Sequence, residues 1–186
     1  MQAAPGSMRI PVDSEGRVDL AAFGEILANL DDATRPRTLV SVMMANNETG
    51  VIQPVEEIVA LAKPAGVAVH SDMVQALGKQ HLDFARSGLD FASLSAHKIG
   101  GPAGVGALLV RPGRAMTSLL RGGGQEQGRR SGTENVIGIA GFGGAAKAAF
   151  GDIAHYRAMA AWRDGLEARL VSQRNDAVLF GAGADR

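Results

Sequence analysis

Across residues 18–30 the apolar positions fall at Leu20, Phe23, Ile26, Leu27 and Leu30, a spacing that gathers them on one face of a helix. Asp19 stands at its start, where the positive end of the helix dipole favours a carboxylate. Asp13 to Gly16 reads as a turn before this helix, and Arg35, Pro36 and Arg37 break the pattern after it. Residues 38–44 (TLVSVMM) then read as a buried strand that ends at a polar cluster, residues 45–50 (ANNETG). Pro54 opens a second helix over 55–62, in the first turn where its missing N–H has no intrahelical partner to lose. Gly66 ends that helix, and residues 67–70 form a short strand running into Ser71 and Asp72. Strand, polar loop, helix and strand make a βαβ unit, which implies a parallel sheet and a right-handed crossover.

Residues 73–90 read as a linker with one turn of helix, followed by a strand over 89–94. A second apolar run at 108–110 is expected to pair with it antiparallel across a glycine-rich turn. Residues 114–133 read as loop. Small apolar residues at Val136, Ile139, Ala140, Gly143 and Ala146 carry a helical rhythm over 134–150. A long helix is expected over 152–170, with Trp162, Leu166 and Leu170 on one face, and residues 177–180 look like a strand just beginning. No internal repeat or low-complexity tract interrupts this order. The fold class is therefore α/β, a mostly parallel sheet flanked by helices. Residues 1–150 read as one sheet-based domain, and residues 151–186 as the opening of a second.

The 186 residues suffice for one good core or one and a half domains. Nineteen basic residues balance nineteen acidic ones, so no large field favours nucleic acid or an anionic membrane. Twenty-five glycines and only 4% aromatic residues suit a loop-rich α/β protein better than a β-sandwich. No stretch reaches the roughly eighteen apolar residues of a membrane span. The start, MQAAPGSMRIP, has neither a charged n-region nor an apolar h-region, so no signal peptide is read and a cytoplasmic location is expected. There is no cysteine, which excludes disulfides, thiolate metal sites and a cysteine nucleophile within these residues.

Three polar clusters each fall just beyond a predicted strand: Asn46, Asn47 and Glu48; Asp72 with Gln75; and Ser95 with His97 and Lys98. In open α/β sheets ligands bind outside the carboxyl ends of the strands, so three such ends suited to one ligand reinforce each other. Lys98 lies between apolar segments (SLSA and GVGALLV), where a lysine is rarely buried without a role. Imine formation with a carbonyl is such a role, since it needs an amine whose pKa is lowered by its surroundings. Asp72 on its own is a helix cap as readily as a ligand. His70 with Asp72 has a spacing that suits a metal, but no third ligand follows, so no metal site is expected and His70 reads as a half-buried strand residue. Gly100, Gly101, Gly104 and Gly106 either cradle a phosphate or simply make a tight turn. Residues 122–133 (GGGQEQGRRSGT) are either a mobile surface loop or an anion-binding segment donated to a neighbouring subunit.

Taken together, four motifs in this order resemble the cysteine desulfurases, pyridoxal-phosphate enzymes of fold type I in the class V aminotransferase group. They are ANNETGVIQP (45–54), HSDMVQALGK (70–79), SLSAHKIGGPAGVGALLVR (93–111) and GGGQEQGRRSGTEN (122–135). The resemblance implies an incomplete aspartate-aminotransferase-like large domain followed by the start of a small α+β domain. It implies that Lys98 forms an imine with pyridoxal 5'-phosphate and shuttles protons, and that Asp72 keeps the pyridinium nitrogen protonated. Gln75 would hydrogen-bond the ring hydroxyl, with Asn47 near it and the substrate carboxylate. Ser95 and His97 would hold the phosphate, and Thr133 would reach the phosphate of the partner subunit in a homodimer. The implied reaction converts L-cysteine to L-alanine, passing sulfur through an enzyme persulfide to a sulfur acceptor or an iron–sulfur scaffold protein.

Departures accompany the resemblance. Met44 stands where the family commonly has histidine, Ser71 where it has valine, and Gln127 where arginine is usual. The family's N-terminal phosphate segment and stacking histidine, and its C-terminal nucleophilic cysteine and substrate arginine, have no counterpart here. The resemblance thus covers the central half of such an enzyme, and the expectation is that this polypeptide alone does not complete desulfuration. Two further readings stand beside the first: a related class V enzyme such as a selenocysteine lyase or an aminotransferase, and a catalytically inactive truncated remnant.

Overall fold

A computed structural model describes residues 6–186; part of the leader reading, residues 1–5, lies outside them. α1 (Leu20–Ala28) is followed by β1 (Leu39–Met43), α2 (Val55–Ala62), β2 (Ala68–Asp72), β3 (Phe91–Ser95) and β4 (Gly106–Val110). The four strands lie side by side in chain order. β1, β2 and β3 run parallel, and β4 returns antiparallel to β3. α2 makes the crossover from β1 to β2, as the βαβ pattern requires. From β2 to β3 the chain descends through turns instead, with helix-like steps where the Leu77 N–H donates to the Met73 carbonyl at 2.9 Å, the Gln80 N–H to the Ala76 carbonyl at 3.0 Å and the Ser87 N–H to the Asp83 carbonyl at 2.9 Å.

Local chemistry sets these boundaries. Asp19 does more than complement a dipole: it is the N-cap of α1, its Oδ1 accepting the Ala21 and Ala22 N–H groups, each at 3.0 Å. The buried Gln53 accepts the Val18 N–H at 2.8 Å and donates to the Gly16 carbonyl at 2.8 Å. It thereby pins the turn at residues 13–16, which is closed by a bridge between Val12 and Val18.

The sheet is buried on one face only. Val40, Val69 and Ala92 point into a core shared with Phe23 and Leu27 of α1 and Val55, Ile58, Val59 and Ala62 of α2. Each of the larger side chains contributes on the order of 1.5–3 kcal/mol through removal from water. On the opposite face Leu39 is 54% exposed and Leu108 48% exposed. The strand expected to be buried throughout is therefore half-buried, because its alternate residue Ser41 pairs in register with His70 on the polar face.

Ser71 breaks the pattern on the inner face. It is fully buried, in register with Val42 and Ala92, and its hydroxyl has no hydrogen-bond partner. A buried hydroxyl without a partner costs about 1–3 kcal/mol. Ser71→Ala is therefore expected to stabilise the fold by about 1 kcal/mol, read as a higher urea midpoint at constant m-value. A lower midpoint would show that the hydroxyl is satisfied in solution.

After a loop, α3 (Val136–Gly151), α4 (Ile153–Ala158) and α5 (Ala160–Gln173) complete the chain. A 56° bend separates α3 from the pair that follows it. The single helix expected over 152–170 is broken at Met159, whose N–H bonds the Tyr156 carbonyl at 3.1 Å in a tighter turn. Trp162, Leu166 and Leu170 are exposed, at 74%, 60% and 45%. No strand forms over 177–180, because no strand among the described residues lies beside it, and a lone extended segment has no ladder to join. The last residues instead strap back across the molecule. The Gly183 N–H donates to Glu15 Oε2 at 2.7 Å, and the Ile52 N–H donates to the Asp185 carbonyl at 2.8 Å. Arg186 grips Glu167 through both guanidinium Nη groups at 2.7 and 2.8 Å. No single helix among the described residues is long and apolar enough to cross a membrane.

Candidate functional site

The three parallel strands finish at one edge, and their registers place Met43, Asp72 and Ser93 in a row across it. Beyond β1 the chain folds back on itself: Asn46 Oδ1 accepts the Glu48 and Thr49 N–H groups at 2.8 and 2.9 Å. The Met44 N–H donates to the Asp72 carbonyl at 2.8 Å, which ties this loop to the end of β2. Asn47 is exposed, its amide donating to Glu48 Oε1 at 2.6 Å.

Asp72 serves as the cap that its position also suggests. Its Oδ1 accepts the Val74 N–H at 2.9 Å, while Oδ2 has no partner among the described residues. One carboxylate oxygen thus fixes the side chain and the other is available to a ligand, so the two readings of Asp72 are compatible. On the same face His70 is held at both ring nitrogens, Nδ1 against Ser41 Oγ at 2.8 Å and Nε2 against Ser93 Oγ at 3.2 Å. Burial lowers the pKa of its imidazole, and the Asp72 carboxylate partly offsets that. Among the described residues no three histidine or carboxylate groups converge as a metal site.

β3 passes into a 3₁₀ turn, Ala96–Ile99, that ends at Gly100 with φ 81°, a backbone conformation that suits glycine. Ser95 Oγ and His97 Nδ1 lie 2.9 Å apart, a pair able to present a hydroxyl and an imidazole to an anion. Lys98 follows and is exposed. The burial that its apolar flanks suggest does not occur, because those flanks enter the sheet as β3 and β4 and leave the lysine on the turn between them. What holds the turn is α3. Its small residues meet the turn closely: a Cβ added at Gly141 would stand 2.6 Å from Pro102 Cγ, and one added at Gly101 would stand 3.2 Å from Ala145 Cβ.

Gln75 and Lys79 lie in the turns after β2, with Lys79 Nζ donating to Gln75 Oε1 at 2.9 Å. Sequence reasoning gives Lys79 no role of its own: its spacing of four from Gln75 signals a contact only on a helix, and residues 73–90 show no helical period. Thr133 is exposed and makes no hydrogen bond to the cluster. Just ahead of it, residues 125–128 form a tight turn in which Glu126 and Gln127 take left-handed backbone, with φ of 49° and 57°. Non-glycine residues held there cost on the order of 1 kcal/mol each, a form of strain that collects at binding segments. The structure therefore brings Asp72, Gln75, Ser95, His97 and Lys98 to one edge, with the Asn47 loop beside them. A primary amine, an available carboxylate oxygen, an amide and a hydroxyl–imidazole pair suit a ligand that carries a carbonyl, a ring nitrogen and an anionic group.

A cysteine desulfurase from Cereibacter sphaeroides is 45% identical over 179 residues, covering 96% of this chain and 44% of that protein. A NifS-like protein from Rickettsia africae superposes with a TM-score of 0.88 at 38% identity, over 95% of this chain and 48% of that one. A structure described as SspA in complex with cysteine gives a TM-score of 0.67 at 32% identity, over 76% of this chain and 39% of that one. The chain thus spans less than half the length of these relatives. The family model for class-V aminotransferases matches residues 8–177, so the chain belongs to the class-V aminotransferase family.

Proposed function

We propose that this chain is the cofactor-binding portion of a cysteine desulfurase, acting on L-cysteine and passing its sulfur toward iron–sulfur cluster assembly. The observation that carries the proposal is the meeting of Asp72, Gln75, Ser95, His97 and Lys98 at one edge of the parallel strands. The family is one of pyridoxal-phosphate enzymes, and the donor set at this edge fits that cofactor. When bound, it supplies an electron sink for the carbanion formed at the substrate α-carbon.

Each role then rests on a residue of this chain. The exposed Lys98 amine attaches the cofactor and moves a proton at the substrate α-carbon. Asp72 would hold the ring nitrogen, its Oδ1 being fixed by the Val74 N–H and its Oδ2 having no partner among the described residues. Gln75 would bond the ring oxygen, and Ser95 with His97, paired at 2.9 Å, would receive the phosphate. Asn47 stands near the ring oxygen and the substrate carboxylate. Thr133, exposed and remote from the cluster's hydrogen bonds, reaches the phosphate in the partner subunit of a homodimer. Trp162, Leu166 and Leu170 form a separate exposed apolar row on α5, and a sulfur acceptor or scaffold protein completes the partners. A persulfide needs a thiol from outside these 186 residues, which contain no cysteine. The division into a cofactor-binding domain up to residue 150 and a second domain from 151 belongs to the same proposal, and the bend after α3 supports it.

The test is the visible spectrum of the purified chain with pyridoxal phosphate, before and after borohydride, with peptide mapping. A yellow protein labelled at Lys98 is expected. A colourless protein, or label spread over Lys63 and Lys147, would overturn the proposal.

A further inference from the structure

We infer that Lys79 is a positioning residue, its ammonium fixing the Gln75 amide so that Gln75 meets the cofactor's ring oxygen as a donor only. The inference rests on the cofactor reading above and names a residue which that reading leaves without a role. Lys79 Nζ lies 2.9 Å from Gln75 Oε1. An ammonium has protons to give and no lone pair to offer, so the amide oxygen must face it and the Nε2 protons are left for the ligand.

Lys79 is itself held in place. It is half-buried, and its ammonium sits 5.7 Å from the centroid of the Tyr156 ring of α4. Lys98 is the charged neighbour from the turn after β3, and burial together with that neighbour lowers the Lys79 pKa. Gln75 on the turn after β2, Tyr156 on α4 and Lys98 are the groups set against it. A long, flexible side chain placed among three such groups loses the freedom that would otherwise let the amide turn over. A ring oxygen that always receives a hydrogen bond is stabilised in its anionic form, which shifts the pH at which the visible band of the loaded protein changes.

The experiment titrates the visible band of the pyridoxal-phosphate-loaded protein in wild type, Lys79→Met, Gln75→Leu and the double variant. Each sample is also mapped for borohydride label. Lys79→Met keeps the stem and removes the donor, and its midpoint is expected to rise by about one pH unit. If Lys79 acts through Gln75, the double variant shifts no further than Gln75→Leu alone. A Lys79→Met midpoint equal to wild type, with label still on Lys98, overturns the inference and leaves the cofactor reading standing. Fully additive shifts also overturn it, since Lys79 would then act without Gln75. Absence of label at Lys98 in wild type overturns the cofactor reading, and this inference with it.

Discussion

Lys98→Ala is expected to reduce borohydride-stable attachment of pyridoxal phosphate to background, a loss of at least about 100-fold relative to the unaltered chain. The size follows from chemistry rather than from packing. Lys98 is exposed on the turn between β3 and β4, so removing its side chain opens no cavity, and the fold should survive unchanged. What disappears is the only amine of that turn. Asp72→Ala provides the contrast: it removes a charge partner and the Val74 cap, so binding weakens while attachment to Lys98 persists. Mass spectrometry of reduced tryptic peptides reads both outcomes. Undiminished labelling of the Lys98→Ala chain at a single other lysine would move the site elsewhere.

The largest expected loss of stability belongs to Asp90, just ahead of β3. Asp90 is 5% exposed and its carboxylate does two tasks: Oδ2 accepts the Val69 N–H at 2.8 Å, and Oδ1 receives Arg114 Nε at 2.6 Å. Its own backbone joins the same join between strands, with the N–H donating to the Val69 carbonyl and the carbonyl accepting from Arg111, each at 2.9 Å. Alanine would leave a buried amide and a guanidinium without partners. Arg114 is 47% exposed at its side chain and can turn to water, whereas the Val69 amide cannot. The expected loss is about 3 kcal/mol, read as a lower urea midpoint. A loss under about 1 kcal/mol would mean that water replaces the carboxylate at Val69.

Much of this architecture is legible in the chain because it rests on local rules. The period of Leu20, Phe23 and Leu27 places α1, Pro54 and Gly66 bracket α2, and the polar residues after each strand mark the edge where the candidate site forms. Burial was less legible. The run of residues 38–44 and the flanks of Lys98 are apolar, yet whether both faces of a strand are covered depends on what packs there, which no window of sequence contains. The same reason defeats a strand at 177–180, since strands exist only as pairs. Met159 breaks its helix without a glycine or proline to announce it. The Lys79–Gln75 contact was hidden because residues 73–90 carry no clean periodicity, so an i, i+4 pair had no helix to be read on.

The antiparallel return of β4 onto β3 also orders events in time. Only the ten residues between Ser95 and Gly106 must close before that pairing begins, whereas twenty-four separate Met43 from Ala68 and eighteen separate Asp72 from Phe91. Closing a chain of about ten residues takes on the order of 10–100 ns and a hairpin on the order of 1–10 μs, while parallel crossovers wait on longer closures. Among the paired strands of the sheet, the lysine of the candidate site therefore sits on the shortest connection to close.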